Sequence, residues 1–129
     1  MQDNQPKKLQ QLTLRFEKTG VLKIAQPRTR VVHLKRKDGV IVQDCDVYIG
    51  RACSEGGWNL PASKWANRFT ILQYGSAEEC ARRYENYVLS RSDLIASLPE
   101  LRGKTLGCWC APRRCHGDVL ARLANALPQ

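Results

Sequence analysis

The sequence contains no long apolar run. None of its segments approaches the roughly 18 consecutive apolar residues that a membrane-spanning helix requires. Its start, MQDNQPKKLQQL, also lacks the apolar core of a secretory signal. We therefore expect an intracellular protein, placed in the cytoplasm or the nucleus, or carried in a virion.

The absence of a secretory signal changes what the six cysteines indicate. Disulfide frameworks belong to secreted chains, whereas a reducing compartment keeps thiols free. We therefore expect metal binding or thiol chemistry rather than structural disulfides. A length of 129 residues without an internal repeat predicts a single domain.

Acidic residues are scarce at the N-terminus. Residues 1–37 contain ten Lys and Arg but only Asp3 and Glu17, so they carry +8 of the total net charge of +9. A basic arm beside a near-neutral body is typical of a contact with a polyanion, and nucleic acid is the first candidate. Because the arm lacks interleaved aromatic residues that would contact bases, a solubilising tail is the alternative.

Apolar patterns predict an α/β order of elements. Alternation predicts strands, an Asp-Gly pair predicts a tight hairpin turn, and three- and four-residue spacing predicts helices. A serine followed three residues later by a glutamate predicts the start of the main helix at Ser76. The predicted strands are 12–16, 21–25, 30–35, 40–43, 46–50 and 104–110, and the predicted helices are 76–90, 92–98 and 116–127.

Four soft ligands cluster near the C-terminus. On a strand, Cys108 and Cys110 share one face, because side chains two residues apart point the same way. The short connection 111–114 would bring Cys115 and His116 back over the end of that strand. Three thiolates and one imidazole form the Cys3His set of structural zinc sites, with iron as the other metal to consider.

The same cluster has two other interpretations. Cys115 and His116 begin the last helix, where free amides and the helix dipole favour a thiolate or an anion. Arg113 and Arg114 add positive charge, and Asp118 would either orient His116 or cap the helix. Cys115 would then be a nucleophile, with His116 or Asp118 transferring a proton. The remaining interpretation is a pair of core cysteines beside a helix cap.

The segment 50–69 has neither helical nor strand periodicity, and long loops of this kind tend to be functional. Its glycines would let a ligand approach the backbone, and its tryptophans and basic residues suit a base and a phosphate. We expect Trp65 to fill the core instead, and Cys45 and Cys53 to be spare ligands. The predicted ligand-binding residues of the loop are Arg51, Trp58, Lys64 and Asn67, and Arg113 and Arg114 join them from the Cys/His cluster.

Two long stretches, DCDVYIGRACSEGGWNLPASKWANRF and LPELRGKTLGCWCAPRRCHGDVLARLAN, closely resemble domain of unknown function 4326. This is a family of small intracellular proteins and domains from phages, large DNA viruses and scattered cellular lineages. One departure is Arg68, where the family has proline. The resemblance implies that the basic arm, residues 1–28, is an addition to a shared domain, residues 29–129. It implies no activity.

Together these features predict a small α/β domain, a short sheet with packed helices and a strand-loop-helix Cys/His site at the carboxyl ends of its strands. The leading hypothesis is a metal-binding domain, with zinc as the metal, that binds a nucleotide or a nucleic-acid phosphate. One alternative is a thiol- and histidine-dependent enzyme acting on a nucleotide, base or sugar-phosphate. Another is a structural subunit of a nucleoprotein or viral assembly.

Overall fold

Short strands and helices succeed one another along the chain. The computed structural model describes residues 13–16, 22–25, 27–110 and 113–128. A 3₁₀ turn, Leu98–Leu101, follows the third helix. The strands are β1 (Thr13–Phe16), β2 (Leu22–Ala25), β3 (Arg30–His33), β4 (Lys35–Lys37), β5 (Val40–Gln43), β6 (Val47–Tyr48) and β7 (Thr105–Cys108), and the helices are α1 (Ile71–Tyr74), α2 (Ala77–Leu89), α3 (Ser92–Ser97) and α4 (His116–Asn125).

A three-stranded parallel sheet organises the domain, with β7 between β3 and β6. All four residues of β7 are buried, as expected for a strand paired on both sides and covered by helices. Pairing of His33 with Cys108 and of Tyr48 with Gly107 brings the carboxyl ends of the three strands to one edge. The mixed α/β class predicted from the sequence is confirmed.

Two hairpins are present, and the predicted Asp-Gly turn closes the second of them. β1 and β2 pair antiparallel, although the rest of residues 1–26 lies outside the described part of the chain. β4 and β5 pair through Asp38 and Gly39, whose φ angles of 53° and 78° are the left-handed values of a tight hairpin turn. The strand predicted for residues 30–35 is interrupted at Leu34. That side chain is 2% exposed and turns into the core before β4 begins.

The predicted strand 104–110 is too long. β7 ends at Cys108, and Trp109 and Cys110 follow it in a bend. The amide of Arg113 donates to the carbonyl of Cys110 at 2.9 Å, so the chain is already turning at this point. Cys108 and Cys110 are therefore not two residues of one strand, and the strand alternation invoked for them was wrong.

The helices match the predicted segments with small changes at their ends. Ser76 caps α2 by accepting a hydrogen bond from the amide of Glu79 at 3.1 Å. Pro99 does not stop the segment after α3, because proline is accommodated in the first turn of the following 3₁₀ helix. In the described part of the chain, no helix has the length and apolar character needed to cross a bilayer.

The core lies between the sheet and helices α2 and α4. Its largest fully buried side chains include Trp65, Tyr84, Leu106 and Leu120. The Tyr84 hydroxyl donates to the Trp65 carbonyl at 2.6 Å, which fastens the end of the 50–69 loop to α2. The prediction that Trp65 fills the core is confirmed, since it is 2% exposed.

Candidate functional site

A cavity of about 780 Å³ opens at the carboxyl edge of the parallel sheet. This volume lies within the range of roughly 300–1,000 Å³ usual for small-molecule sites. We call two parts of its lining the cysteine floor (Cys108, Cys110, Cys115 and His116) and the loop wall (Arg51, Trp58 and Asn67).

Three cysteines belong to the cysteine floor, and two of their sulfur atoms are in contact. Cys108 ends β7 and Cys115 caps α4, and their sulfur atoms lie 3.1 Å apart. Cys110 lines the same floor, and both of these cysteines shift the pKa of its thiol. Cys108 and Cys115 are 1% and 3% exposed, whereas Cys110 is partly exposed. The turn after β7, rather than strand alternation, brings the third sulfur to the other two.

Capping hydrogen bonds and close packing fix the first turn of α4. The Asp118 carboxylate accepts from the Cys115 amide at 3.0 Å, and the Cys115 sulfur accepts from the Gly117 amide at 3.3 Å. A Cβ atom on Gly117 would lie 2.8 Å from the Ile49 side chain and 3.0 Å from Val31. The first turn of α4 therefore packs so closely against the sheet that a side chain on residue 117 would have to displace the Ile49 and Val31 side chains, and this packing positions the neighbouring His116.

His116 is held in a neutral form with a fixed orientation. Its Nε2 lies 2.7 Å from the Ile49 carbonyl, and a carbonyl requires a proton on that nitrogen. The other nitrogen, Nδ1, is then an acceptor and lies 3.6 Å from the Cys115 sulfur. Burial lowers the pKa of His116, so the imidazole is neutral at pH 7. The ring also packs edge-on against Tyr84, with a centroid separation of 5.0 Å.

Two thiols of the floor, those of Cys110 and Cys115, are held in their protonated form. Hydrogen bonding with Cys108 and then with Cys110, together with burial, raises the pKa of Cys115. Hydrogen bonding with Cys108 likewise raises the pKa of Cys110. The Gly117 amide lowers the pKa of Cys115, but this effect is smaller. The helix N-terminus alone therefore does not make Cys115 a thiolate.

The loop wall is shaped by a glycine turn and a pair of backbone hydrogen bonds. Cys53 and Leu60 pair antiparallel through N–H···O bonds of 2.9 and 2.8 Å, which closes the segment between them. Within it, Gly56 and Gly57 have φ angles of 63° and 86°, and the Trp58 amide donates to the Glu55 carbonyl. This turn presents a partly buried Trp58 to the cavity.

A chain of contacts links Trp58 to the end of β7. The Trp58 ring meets Trp109 edge-on at a centroid separation of 5.6 Å. The Trp109 indole N–H donates to the Tyr48 hydroxyl at 2.9 Å, and that hydroxyl donates to the Arg51 carbonyl at 2.5 Å. Tyr48 and Trp109 both line the cavity, yet neither was among the predicted site residues. Their position directly after or at the end of parallel strands was the signal that could have identified them.

Arg51 and Asn67 lie side by side in the loop wall. The Arg51 guanidinium donates to the Asn67 carbonyl at 3.1 and 3.3 Å. The Asn67 side-chain oxygen accepts from the Phe69 amide at 3.0 Å. Arg114, which is exposed, joins the lining from the turn before α4.

Three predicted site residues do not line the cavity. The Lys64 ammonium pairs with Glu100 at 3.0 Å and with the Ser97 hydroxyl at 3.2 Å. Arg113 is exposed, and the Asp118 carboxylate serves as the helix cap described above. Of the two spare cysteines, Cys53 lines the cavity, whereas Cys45 packs against Gly107.

The spacing of the sulfur atoms in the floor is that of packed thiols and is too short for a preformed zinc site. In the described ranges, no three His, Cys, Asp or Glu side chains have the spacing of a preformed metal site. Two thiolates on one tetrahedral zinc, each about 2.3 Å from the metal, would lie about 3.8 Å apart. The 3.1 Å between the Cys108 and Cys115 sulfurs would have to widen by several tenths of an ångström to admit an ion.

Comparison with known proteins assigns the chain to a family. It belongs to the family described as Domain of unknown function (DUF4326), whose model matches residues 32–126. "Uncharacterized protein R718" of Acanthamoeba polyphaga mimivirus is 54% identical over 101 residues, which is 72% of this chain and 77% of that protein.

A second relative aligns with a shorter segment of the chain. The "Uncharacterized 12.4 kDa protein in nrdA-td intergenic region" of Enterobacteria phage T4 is 53% identical over 32 residues, covering 25% of this chain and 30% of that protein. No solved structure matches the chain. The relatives are therefore viral and phage proteins, and their names state no activity.

Proposed function

We propose that the protein is a metal-binding α/β domain, with zinc as the metal, that holds a nucleotide or a nucleic-acid phosphate in the cavity beside the metal. The observation that carries this proposal is the contact of the Cys108 and Cys115 sulfurs beside a neutral, oriented imidazole, with Cys110 in the same lining, at the floor of a cavity that two arginines also line. Relatives in a virus and a phage suit a protein that acts inside the infected cell or in the virion.

The chemistry of the floor suits zinc. Metal-binding histidines are usually neutral and donate their other ring N–H to a carbonyl, as His116 does to Ile49. Thiols bind zinc by losing their protons, so the crowding of Cys108, Cys110 and Cys115 would be relieved by the ion. Zinc bound there would add positive charge to the cavity.

The charges of the lining suit an anion. Arg51 and Arg114 line the cavity, and Glu55 is the one acidic side chain among the described residues that line it. Planar guanidinium groups recognise phosphate through paired hydrogen bonds. The basic arm would extend the same preference to a polymer, since each neutralised phosphate releases counterions and makes binding depend on salt.

Metal content tests the first part of the proposal. Protein purified without added metal should contain about one equivalent of zinc by elemental analysis. A C108S variant should lose most of that zinc, whereas Cys80→Ser should retain it, because Cys80 lies on α2 and, although it lines the same cavity, does not belong to the floor. Less than about half an equivalent of zinc or iron in the unmodified chain would contradict the metal site.

Two adjacent arginines offer a matched test of the second part. Arg114→Ala should weaken binding of a nucleotide such as ATP about tenfold, the value of one charge-assisted contact of roughly 1.4 kcal/mol. Arg113→Ala should change binding little, because Arg113 is exposed but does not line the cavity. Equal losses in the two variants would indicate a general charge effect and not a phosphate site.

Salt dependence tests the contribution of the basic arm. Affinity for a short DNA or RNA should fall at least about tenfold between 50 and 200 mM salt, and removal of residues 1–28 should weaken binding and flatten that response. If the affinity of the full chain for DNA or RNA did not change with salt, the proposal would be limited to nucleotide binding.

One observation favours a second candidate, a thiol-dependent enzyme. His116 Nδ1 lies 3.6 Å from the Cys115 sulfur, so the imidazole is placed to accept its proton. Rapid alkylation of Cys115 by iodoacetamide at pH 6, blocked by a bound nucleotide, would support this candidate, since zinc-bound thiolates are protected. The raised pKa of Cys115 makes slow alkylation the expected result.

A further inference from the structure

We propose that Trp58 is the stacking surface for a nucleobase in the cavity, and that Arg36, from outside the cavity, is the positioning residue that holds this ring in place. This inference rests on the proposed function, since it names the ligand that the phosphate-binding cavity would take. The ligand class is a molecule with both a flat aromatic base and a phosphate.

The first step concerns the two faces of the Trp58 ring. The Arg36 guanidinium lies over this ring, with its carbon 5.5 Å from the ring centroid. Trp58 lines the cavity, whereas Arg36 does not. The cation therefore covers one face of the ring from outside the cavity, and the exposed part of the ring belongs to the cavity lining. A cation–π contact contributes only a modest free energy at an exposed site, but it fixes the ring before a ligand arrives.

The second step concerns Gly57, which makes the contact with Arg36 possible. A Cβ atom on Gly57 would lie 3.0 Å from the Arg36 Nε, and Gly57 has a φ of 86° that L residues rarely adopt. The loop turn and the β4 strand that carries Arg36 are therefore fitted to each other. The hairpin formed by β4 and β5 thus supports the loop wall, although it lies outside the parallel sheet.

The third step concerns the contact between the Trp58 ring and Trp109. Trp109 meets Trp58 edge-on, and its indole N–H is bound by the Tyr48 hydroxyl. Contacted by a cation and, in a T-shaped arrangement, by a second ring, Trp58 is preorganised, and its exposed part lines the cavity. Trp65 has a different role: it is 2% exposed and belongs to the core.

The last step identifies the ligand. A flat apolar surface with hydrogen-bonding groups in the same lining, including Asn67 and Ser54, suits the face and edge of a base. Arg51 and Arg114 supply the anion-binding groups. A lipid or an apolar metabolite would leave these arginines without an anion, whereas a sugar-phosphate would leave the ring without an aromatic partner.

The test compares ligands that share a phosphate but differ in the base. Binding of AMP, GMP, CMP, UMP and ribose 5-phosphate to the full chain would be measured by calorimetry. Trp58→Ala should weaken nucleotide binding about tenfold, within the range for one lost base stack, and leave ribose 5-phosphate unchanged. Trp58→Phe should retain part of the affinity. Thermal unfolding of each variant would verify that it folds.

The positioning role of Arg36 is tested by comparing nucleotide binding with ribose 5-phosphate binding, because a purely structural role would affect both ligands equally. Arg36→Ala should weaken nucleotide binding about threefold without affecting ribose 5-phosphate, and Arg36→Lys should restore most of it, because the cation is kept. Lys37→Ala is the control, since Lys37 is an exposed cation one residue further along β4. Equal losses with Arg36→Ala for both ligands would remove the positioning role.

The outcomes separate this inference from the proposed function. If neither nucleotides nor ribose 5-phosphate bind, the proposed phosphate site has failed and the base surface fails with it. If ribose 5-phosphate binds as tightly as the nucleotides, or if Trp58→Ala weakens both equally, only the base surface is wrong. If a short single-stranded nucleic acid binds more tightly than a mononucleotide and Trp58→Ala weakens both, the base that stacks on Trp58 belongs to a nucleic-acid strand.

Discussion

The cysteine floor and the loop wall face the same cavity but are built in opposite ways. Most of the floor is core: Cys108, Cys115 and His116 are 1%, 3% and 6% exposed, and their positions follow from β7 and from the packing of α4 on the sheet. The wall is irregular backbone, and Arg51 is exposed. Changes in the floor should therefore alter folding and binding together, whereas changes in the wall should alter binding alone.

The largest expected effect is at Gly117, beneath the floor. Gly117→Val would push α4 off Ile49 and Val31, and overpacking of this kind costs about 3 kcal/mol. We expect the melting temperature to fall by about 10 °C in the presence of a chelator, which removes any stabilisation by bound metal.

A graded series strengthens this test. Gly117→Ala should lie between the unmodified chain and the valine variant, and Ala96→Val is the control, because Ala96 is exposed in α3. An unchanged melting temperature for Gly117→Val would mean that the floor is as adaptable as the wall and would remove the distinction between them.

A smaller effect is expected where the floor and the loop join. Tyr84→Phe removes the hydroxyl that donates to the buried Trp65 carbonyl, so it should lower the free energy of unfolding by about 1–2 kcal/mol in urea titrations. Tyr87→Phe should cost less than about 0.5 kcal/mol, since its hydroxyl accepts from the exposed Arg91. If the two variants were equally stable, the loop would not depend on this bond for its attachment.

The smallest effect is expected at Lys64. Its ion pair with Glu100 is solvent-exposed, with side chains that are 49% and 56% exposed, so Lys64→Ala should cost less than about 0.5 kcal/mol. Nucleotide affinity should not change, because the ammonium lies outside the cavity. A tenfold loss of affinity in calorimetry would show that Lys64 contributes to the wall after all.

Much of the fold follows from local rules that act within a few residues. The Asp38-Gly39 turn, the Ser76 cap and the periodicity of α4 depend on neighbours in the chain, and all three are present in the structure. The grouping of Cys115 with Cys108 was also predicted, because a short connection cannot carry the chain far from the end of a strand.

What the sequence could not determine depends on turn geometry. Arg113 and Arg114 are chemically identical neighbours, yet only Arg114 lines the cavity, because the turn after Cys110 decides which side chain faces inward. Lys64 and Asp118 have charged groups suited to a ligand, but Glu100 and the Cys115 amide engage them instead. The pair of Lys64 with Glu100 joins residues far apart in the chain and is not visible in a local pattern, whereas the cap formed by Asp118 is local and was one of the two roles expected for it.

The central position of β7 has a consequence for the order in which the domain assembles. Among the described strands, β3 and β6 each pair with β7 and not with each other, so the parallel sheet cannot form until the ribosome has added residues 105–108. The sheet then forms by long-range contacts, which is a slow class of folding event. A product that stops before β7 would lack this sheet together with every cysteine of the floor.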